Sequence, residues 1–330
     1  MRRRTATLIA IAALSAGLAP GRRGARAQTA PRTARVGLLS ATSAEIFEAL
    51  FAAMREALAA RGWVEGRNLA FDAAYADGRL DRLPELAQAL VARRPDVIVG
   101  HTAAATQALA AATATLPIVG TAINDPIANG LTDSLARPSR NVTGFTNFQT
   151  ELAGKRLDLL LAVAPKAKRI GLLHADDPDG ARLTAETDTA ARARGVALVN
   201  LRVDATERVP AILAAAMADP LDALIVGASP VTYPAMPEIV EFAAARRLPA
   251  IYALRQMAVD GGLMALAYDP FDNVRGAGDY AARVLAGAPI ASLPFQQPSR
   301  VPLTVNLTAA RRAGIEFPAG VLAIADEVIE

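Results

Sequence analysis

Residues 96–125, DVIVGHTAAATQALAAATATLPIVGTAIND, decide the fold of this chain. Val97 to His101 is an apolar run rich in β-branched residues, Thr102 to Thr113 is alanine-rich with helical spacing, and Pro117 to Ala122 is a second apolar run. The two apolar runs do not alternate with polar residues, so both of their faces are covered, as in a parallel sheet clothed by helices. A right-handed crossover links two such strands and lays the helix on one face.

The same alternation extends outward. Upstream, strands are predicted at Arg35 to Ser40 and Asn68 to Ala76, with helices near Ser43 to Arg61 and Leu80 to Arg93. Downstream, a helix from Pro126 to Ala136 and a strand from Val142 to Thr146 close a first series. A second series opens with a helix from Glu151 to Val163 and continues through strands at Arg169 to His174, Val196 to Val203, Ala223 to Ala228 and Ala250 to Ala253. Helices near Gly180 to Arg194, Glu207 to Ala218 and Pro234 to Arg246 fill its gaps, and the last third adds a strand at Gly262 to Ala267, a helix near Pro270 to Ala286 and an extended Val301 to Asn306. Two βαβ arrays of this kind form two doubly wound, Rossmann-like α/β lobes. The N-terminal lobe is expected from residues 34–145 plus 258–290, the C-terminal lobe from 146–257 plus 291–330. Pro289, Pro294, Pro298 and Pro302 mark a connection between the two bodies.

Residues 1–27 stand outside this pattern. They hold six arginines and no acidic residue, an apolar run from Leu8 to Ala19, and Ala25-Arg26-Ala27 before Gln28. That arrangement reads as a cleaved export signal. Arg3-Arg4 permits the twin-arginine route as well as the general one. Without the six leader arginines, 29 of the 35 basic residues remain against 32 acidic ones, so the exported chain is about −3 and whole-chain charge offers no case for nucleic acid. The absence of cysteine excludes a lipid anchor on the exported chain, disulfides and thiol catalysis. The expectation is a monomer free in the periplasm.

In doubly wound lobes the ligand meets the carboxyl ends of the strands, so the segments just after each strand supply the candidates. From the first lobe these are Ser40, Thr42, Ser43, Thr102, Ala103, Asn124, Asp125, Thr146 and Asn147. Small hydroxyl and amide side chains beside helix N-terminal amides bind a carboxylate without a full positive charge; Ser43 and Asp125 read equally well as plain N-caps. Asp125 is the expected partner of an ammonium group. From the second lobe come Asp176, Ser229, Tyr233, Tyr252 and Arg255, the tyrosines to stack on a flat ligand and Arg255 to pair with an anion. Phe47, Phe145 and Tyr268 read as packing residues. His101 and His174 follow strands in the two lobes, yet no metal-binding spacing accompanies them. Gly276 to Ala281 matches G-x-G-x-x-A but sits inside a helical pattern rather than after a strand, and phosphate-loop and nucleophile-elbow motifs are missing. No cofactor is expected.

Six segments carry a family resemblance: RGWVEGRN at 61–68, GRLDRLPEL at 78–86, LARPSRNVTGF at 135–145, GKRL at 154–157, GGLM at 261–264 and ADEVIE at 325–330. In these the chain resembles the substrate-binding proteins of ABC transporters of the tryptophan and aromatic amino acid type. The resemblance implies a periplasmic-binding-protein fold, type I-like, that traps a small ligand by closure about a hinge, and an inner-membrane permease with its ATPase as partners. It implies binding of an amino acid-like or carboxylated ligand without catalysis. A ligand sensor feeding a membrane receptor, or an α/β enzyme using the same cleft, is the alternative that the residues themselves leave open.

Overall fold

A computed structural model describes residues 33–330; the export signal expected at 1–27 lies outside them. The first series consists of β1 (Ala34–Ser40), α1 (Ala44–Ala60), β2 (Leu69–Tyr75), α2 (Leu83–Ala92), β3 (Val97–His101), α3 (Ala103–Ala112), β4 (Ile118–Ile123) and β5 (Val142–Thr146). Its sheet is wholly parallel with order β2-β1-β3-β4-β5. The second runs α4 (Ala153–Val163), β6 (Arg169–Ala175), α5 (Pro178–Ala193), β7 (Ala197–Val203), α6 (Val209–Ala215), β8 (Ala223–Val226), α7 (Met236–Ala245), β9 (Ala250–Tyr252), α8 (Arg255–Val259) and β10 (Met264–Leu266). Then come α9 (Pro270–Leu285), β11 (Leu303–Asn306), α10 (Leu307–Ala313), α11 (Ala319–Ala323) and β12 (Glu327–Ile329).

The second sheet has the order β12-β11-β10-β9-β8-β6-β7. Read from its far edge, β7-β6-β8-β9-β10 repeats the 2-1-3-4-5 order of the first sheet; β11 then pairs antiparallel with β10, and β12, parallel to β11, shares its reversed direction. Each sheet is buried on both faces, which is why its strands read as unbroken apolar runs. Four apolar clusters result. One holds α1 and α9 against the first sheet and another α2 and α3 on its opposite face; the remaining two flank the second sheet. Helix α1 shows the local logic: Phe47, Leu50, Phe51, Met54 and Leu58 recur at helical spacing and form its buried stripe, while Ser43 caps it by accepting from the Ile46 amide.

Helix α9 departs from the expected bookkeeping of lobes. It follows β10, a strand of the second sheet, yet packs on α1 and on the first sheet. The boundary expected at 258 therefore falls too early: α8 and β10 belong with the second sheet because β10 supplies its fifth strand position. The Gly276–Ala281 motif finds its reason in this packing. A Cβ on Gly276 would stand 2.3 Å from the Phe145 ring, and one on Gly278 would stand 2.8 Å from the Met54 carbonyl oxygen. Gly276 thus lets α9 approach β5, and Gly278 lets it approach α1.

The helix expected at 126–136 does not form. Asp125 Oδ1 accepts from the amides of Ile127 and Ala128, Thr132 Oγ1 from that of Ser134, and Gly130 sits at φ 68°. Short polar side chains here capture the backbone that a helix would need. The short elements α8, α11 and β12 have too few residues to show a period in the sequence. Among the described residues no helix is long and apolar enough to cross a membrane.

Replacing Gly278 by valine should lower the urea midpoint, with a loss of about 2 kcal/mol from overpacking. Helix propensity alone favours valine over glycine, so a stabilised variant would sink the close α1–α9 contact as the reason for this glycine.

Candidate functional site

In a 2-1-3-4-5 sheet the strand order reverses between the first and third strands, and a crevice opens beyond their carboxyl ends. Both sheets turn this edge toward one cavity of about 190 Å³. Its first-lobe wall comes from Thr42 after β1, His101 and Thr102 after β3, Asn124 after β4, and Asn147 and Gln149 after β5. Its second-lobe wall comes from His174 and Asp177 around the end of β6, Ser229 and Tyr233 after β8, Leu254 after β9, and Tyr268 after β10.

Of the residues expected at the site, Thr42, Thr102, Ala103, Asn124, Asn147, Ser229 and Tyr233 line this cavity. The other seven do not. Ser40 is fully buried, its hydroxyl 2.9 Å from Thr42 Oγ1, and Ser43 only caps α1. Asp125 is taken up by the turn described above and does not line the cavity. Thr146 is buried at the end of β5, and Asp176 lies outside the cavity with Arg202 Nη1 at 3.5 Å. Tyr252 points to the opposite side of its strand, into the core packed by α7 and α8, where burial raises its hydroxyl pKa. Arg255 is held by Glu327 of β12, with Nε 2.7 Å from Oε2, and this ion pair ties α8 to the last strand. Its partner stands 72 positions away, which no local pattern reveals.

Several lining groups escaped the sequence reading. Gln149 and Asp177 lie one or two residues beyond the positions favoured there, and Tyr268 is a cavity residue rather than a packing one. Gln107, Asn129 and Asp179 come from helices and a turn that approach from the sides. Asn129 of the first lobe meets Asp179 and Arg182 of the second, joining the two walls at the cavity rim.

Among the described residues no lysine or arginine lines this cavity. His101 is buried, with Nδ1 2.9 Å from Thr121 Oγ1 and its ring 4.6 Å from that of Phe47, and desolvation lowers its pKa to about 4. It is therefore neutral at pH 7. His174 is engaged at both ring nitrogens, by the Ala175 carbonyl and by Asn200 and Thr184. Among the described residues no group of three or more metal-ligating side chains occurs.

Positive potential comes instead from helix ends. The ten-residue α3 and the sixteen-residue α5 both begin at the cavity, and a helix N-terminus presents unpaired amides with a partial positive charge. At α3, Thr102 Oγ1 takes the Ala105 amide, while Ala103 and Ala104 stand at the wall. Thr102 adopts φ 86°, a strained conformation for a β-branched residue that costs on the order of 1–3 kcal/mol and marks functional sites elsewhere. At α5, Asp177 Oδ1 takes the Gly180 amide at 2.7 Å. Gly180 is obligatory, because a Cβ would lie 2.0 Å from the Ala175 carbonyl oxygen. Burial raises the pKa of Asp177, against the lowering effect of its bond to Gly180, and no ion pair among the described residues claims it.

A sequence profile of the ABC transporter substrate binding protein family matches residues 36–329. The chain belongs to that family. A tyrosine-binding protein of Clostridioides difficile is 24% identical over 253 residues, covering 76% of this chain and 72% of that one. A Streptococcus pneumoniae domain crystallised in complex with L-Trp superposes with a TM-score of 0.82 at 26% identity, over 90% of this chain and 100% of the other. A conserved domain protein from Vibrio cholerae superposes with a TM-score of 0.84 at 28% identity, with the same coverage. The fold is thus the type I periplasmic-binding-protein fold expected from the resemblance, with two α/β lobes.

The neutral state of His101 carries a pH dependence. The unfolded histidine takes a proton near pH 6.5 and the folded one near 4, so the unfolded state gains protons first and stability falls as pH drops through that window, by on the order of 3 kcal/mol. Urea midpoints at pH 7 and 4.5 should show this loss in the native chain and a smaller one in His101→Gln; equal slopes would exclude His101 as its source.

Proposed function

We propose that this protein is the periplasmic solute-binding component of an ABC importer and that it holds an α-amino acid with an aromatic side chain in the cavity between its lobes. The observation that carries this reading is a two-walled cavity whose charge complement is split: a helix N-terminus of the first lobe faces a carboxylate, Asp177, of the second. A zwitterion satisfies both, its carboxylate on the amides that begin α3 and its ammonium on Asp177. A simple anion satisfies only the first. In this role Asp177 replaces Asp125, with Tyr233 and Tyr268 as apolar, flat walls for the side chain.

Size agrees. At about 10–15 Å³ per water-sized group, the cavity accommodates roughly a dozen to twenty non-hydrogen atoms, the bulk of an aromatic amino acid. The Streptococcus domain with L-Trp and the Clostridioides tyrosine-binding protein point to the same ligand class. A ligand that contacts both walls favours the closed arrangement in proportion to its affinity for it, the basis of hinge closure and of recognition by a permease.

Aromatic L-amino acids at 100 times their dissociation constant should stabilise the protein by about 2.7 kcal/mol, read as a raised melting temperature. No shift with any amino acid across a full panel would refute the reading. By calorimetry, Asp177→Asn should weaken amino acid binding by more than about 1.5 kcal/mol, since asparagine keeps the α5 cap and removes only the charge. Asp125→Ala should leave affinity unchanged. Tyr233→Ala should cost aromatic ligands more than aliphatic ones, and equal losses would remove it as a stacking wall.

A further inference from the structure

Three amide side chains meet where the chain leaves β5. Asn124 and Asn147 are consumed there: Asn124 Nδ2 donates to Thr150 Oγ1 while its Oδ1 accepts from the Thr150 amide, and Asn147 Nδ2 donates to the Ala122 carbonyl while its Oδ1 accepts from the Gln149 amide. Gln149 differs. It lines the cavity, is 5% exposed, and among the described residues neither its Nε2 nor its Oε1 has a hydrogen-bond partner. A buried amide left unpaired at both ends is costly, and native structures keep few of them. Nor is its position loose. The Gln149 carbonyl accepts from Nη1 of the buried Arg156 at 3.1 Å, its amide is held by Asn147, and the preceding Phe148 sits in the left-handed region at φ 55°.

We propose that the Gln149 side-chain amide is the group that reads the α-ammonium and α-carboxylate of the ligand together, Nε2 donating to the carboxylate and Oε1 accepting from the ammonium. This rests on the amino acid reading above and adds to it a specificity residue. A primary amide presents a donor and an acceptor side by side, and the head of an α-amino acid presents an acceptor and a donor side by side. A neutral ligand amide would also match Gln149, but it would leave Asp177 and the α3 amides of the same cavity without their charged partners. The zwitterionic head satisfies all three. It follows that an amine lacking the carboxylate, or an acid lacking the amine, leaves one end of Gln149 unpaired and binds less well than the parent amino acid.

The test uses Gln149→Met, which keeps the length and apolar stem without the amide, and Gln149→Glu, which keeps the acceptor and removes the donor. In the ligand-free protein, Gln149→Met should raise the melting temperature by about 2 °C, because an unpaired buried amide is removed. Its calorimetric affinity for L-tryptophan should fall by about tenfold or more. Gln149→Glu should weaken indole-3-propionate more than tryptamine, since the lost donor serves the carboxylate alone. A lower melting temperature for ligand-free Gln149→Met means that the amide is already satisfied within the protein and overturns the proposal. Native affinity of Gln149→Met for L-tryptophan also overturns it while leaving the amino acid reading intact. A native protein that binds no α-amino acid, alongside a stabilised Gln149→Met, instead overturns the reading on which this one rests.

Discussion

The guanidinium of Arg156 is the interaction on which the relation between the lobes depends. It is 1% exposed, it has no carboxylate partner among the described residues, and its Nε and Nη2 donate to the Leu266 carbonyl at 3.0 and 2.9 Å while Nη1 donates to that of Gln149. Leu266 ends β10, where the chain departs for α9 on the first lobe; Gln149 lies where it departs from β5 for α4 on the second. One side chain thus binds two of the chain passages between the lobes. Burial lowers its pKa to about 9, which still leaves the group charged at neutral pH and in need of every carbonyl it meets.

A third passage follows α9. Gln296 N donates to the Gly144 carbonyl and Phe295 N to that of Leu135, which fastens the proline-rich return segment to the first sheet before it enters β11. Backbone strain gathers near the cavity: Thr102, Ala122 and Phe148 all carry positive φ and all stand at or beside its wall. The core strands and the tethered passages over-determine these residues, and such strain pre-organises a binding surface.

The fold was largely legible because parallel strands covered on both faces leave continuous apolar runs, and the helices between them leave a 3.6 period. Legibility failed where side chains competed with backbone, as at Asp125 and Thr132, and where elements were only a few residues long, as in α8 and β12. At the site, the rule that ligands meet strand ends located the segments that border the cavity, but only half of the residues it singled out line it. Tyr252 and Leu254 are two apart on either side of a strand end and share one core cluster, yet only Leu254 also reaches the cavity. Asp125 and Asp177 each accept a backbone amide through Oδ1, Asp125 in a turn and Asp177 at the start of α5, but only Asp177 lines the cavity.

By itself the sequence determined the alternation of strands and helices, the division into two doubly wound arrays, and the classes of side chain at each strand end. These depend on periodicity and local capping, which act over a few residues. Only the tertiary structure decided which of those side chains look inward, that Glu327 claims Arg255, that α9 crosses back to the first lobe, and that Gln149 alone among its neighbouring amides is left without a partner. Each of those outcomes depends on groups brought together from distant parts of the chain, and satisfaction of a buried polar group is a property of the whole neighbourhood rather than of the residue.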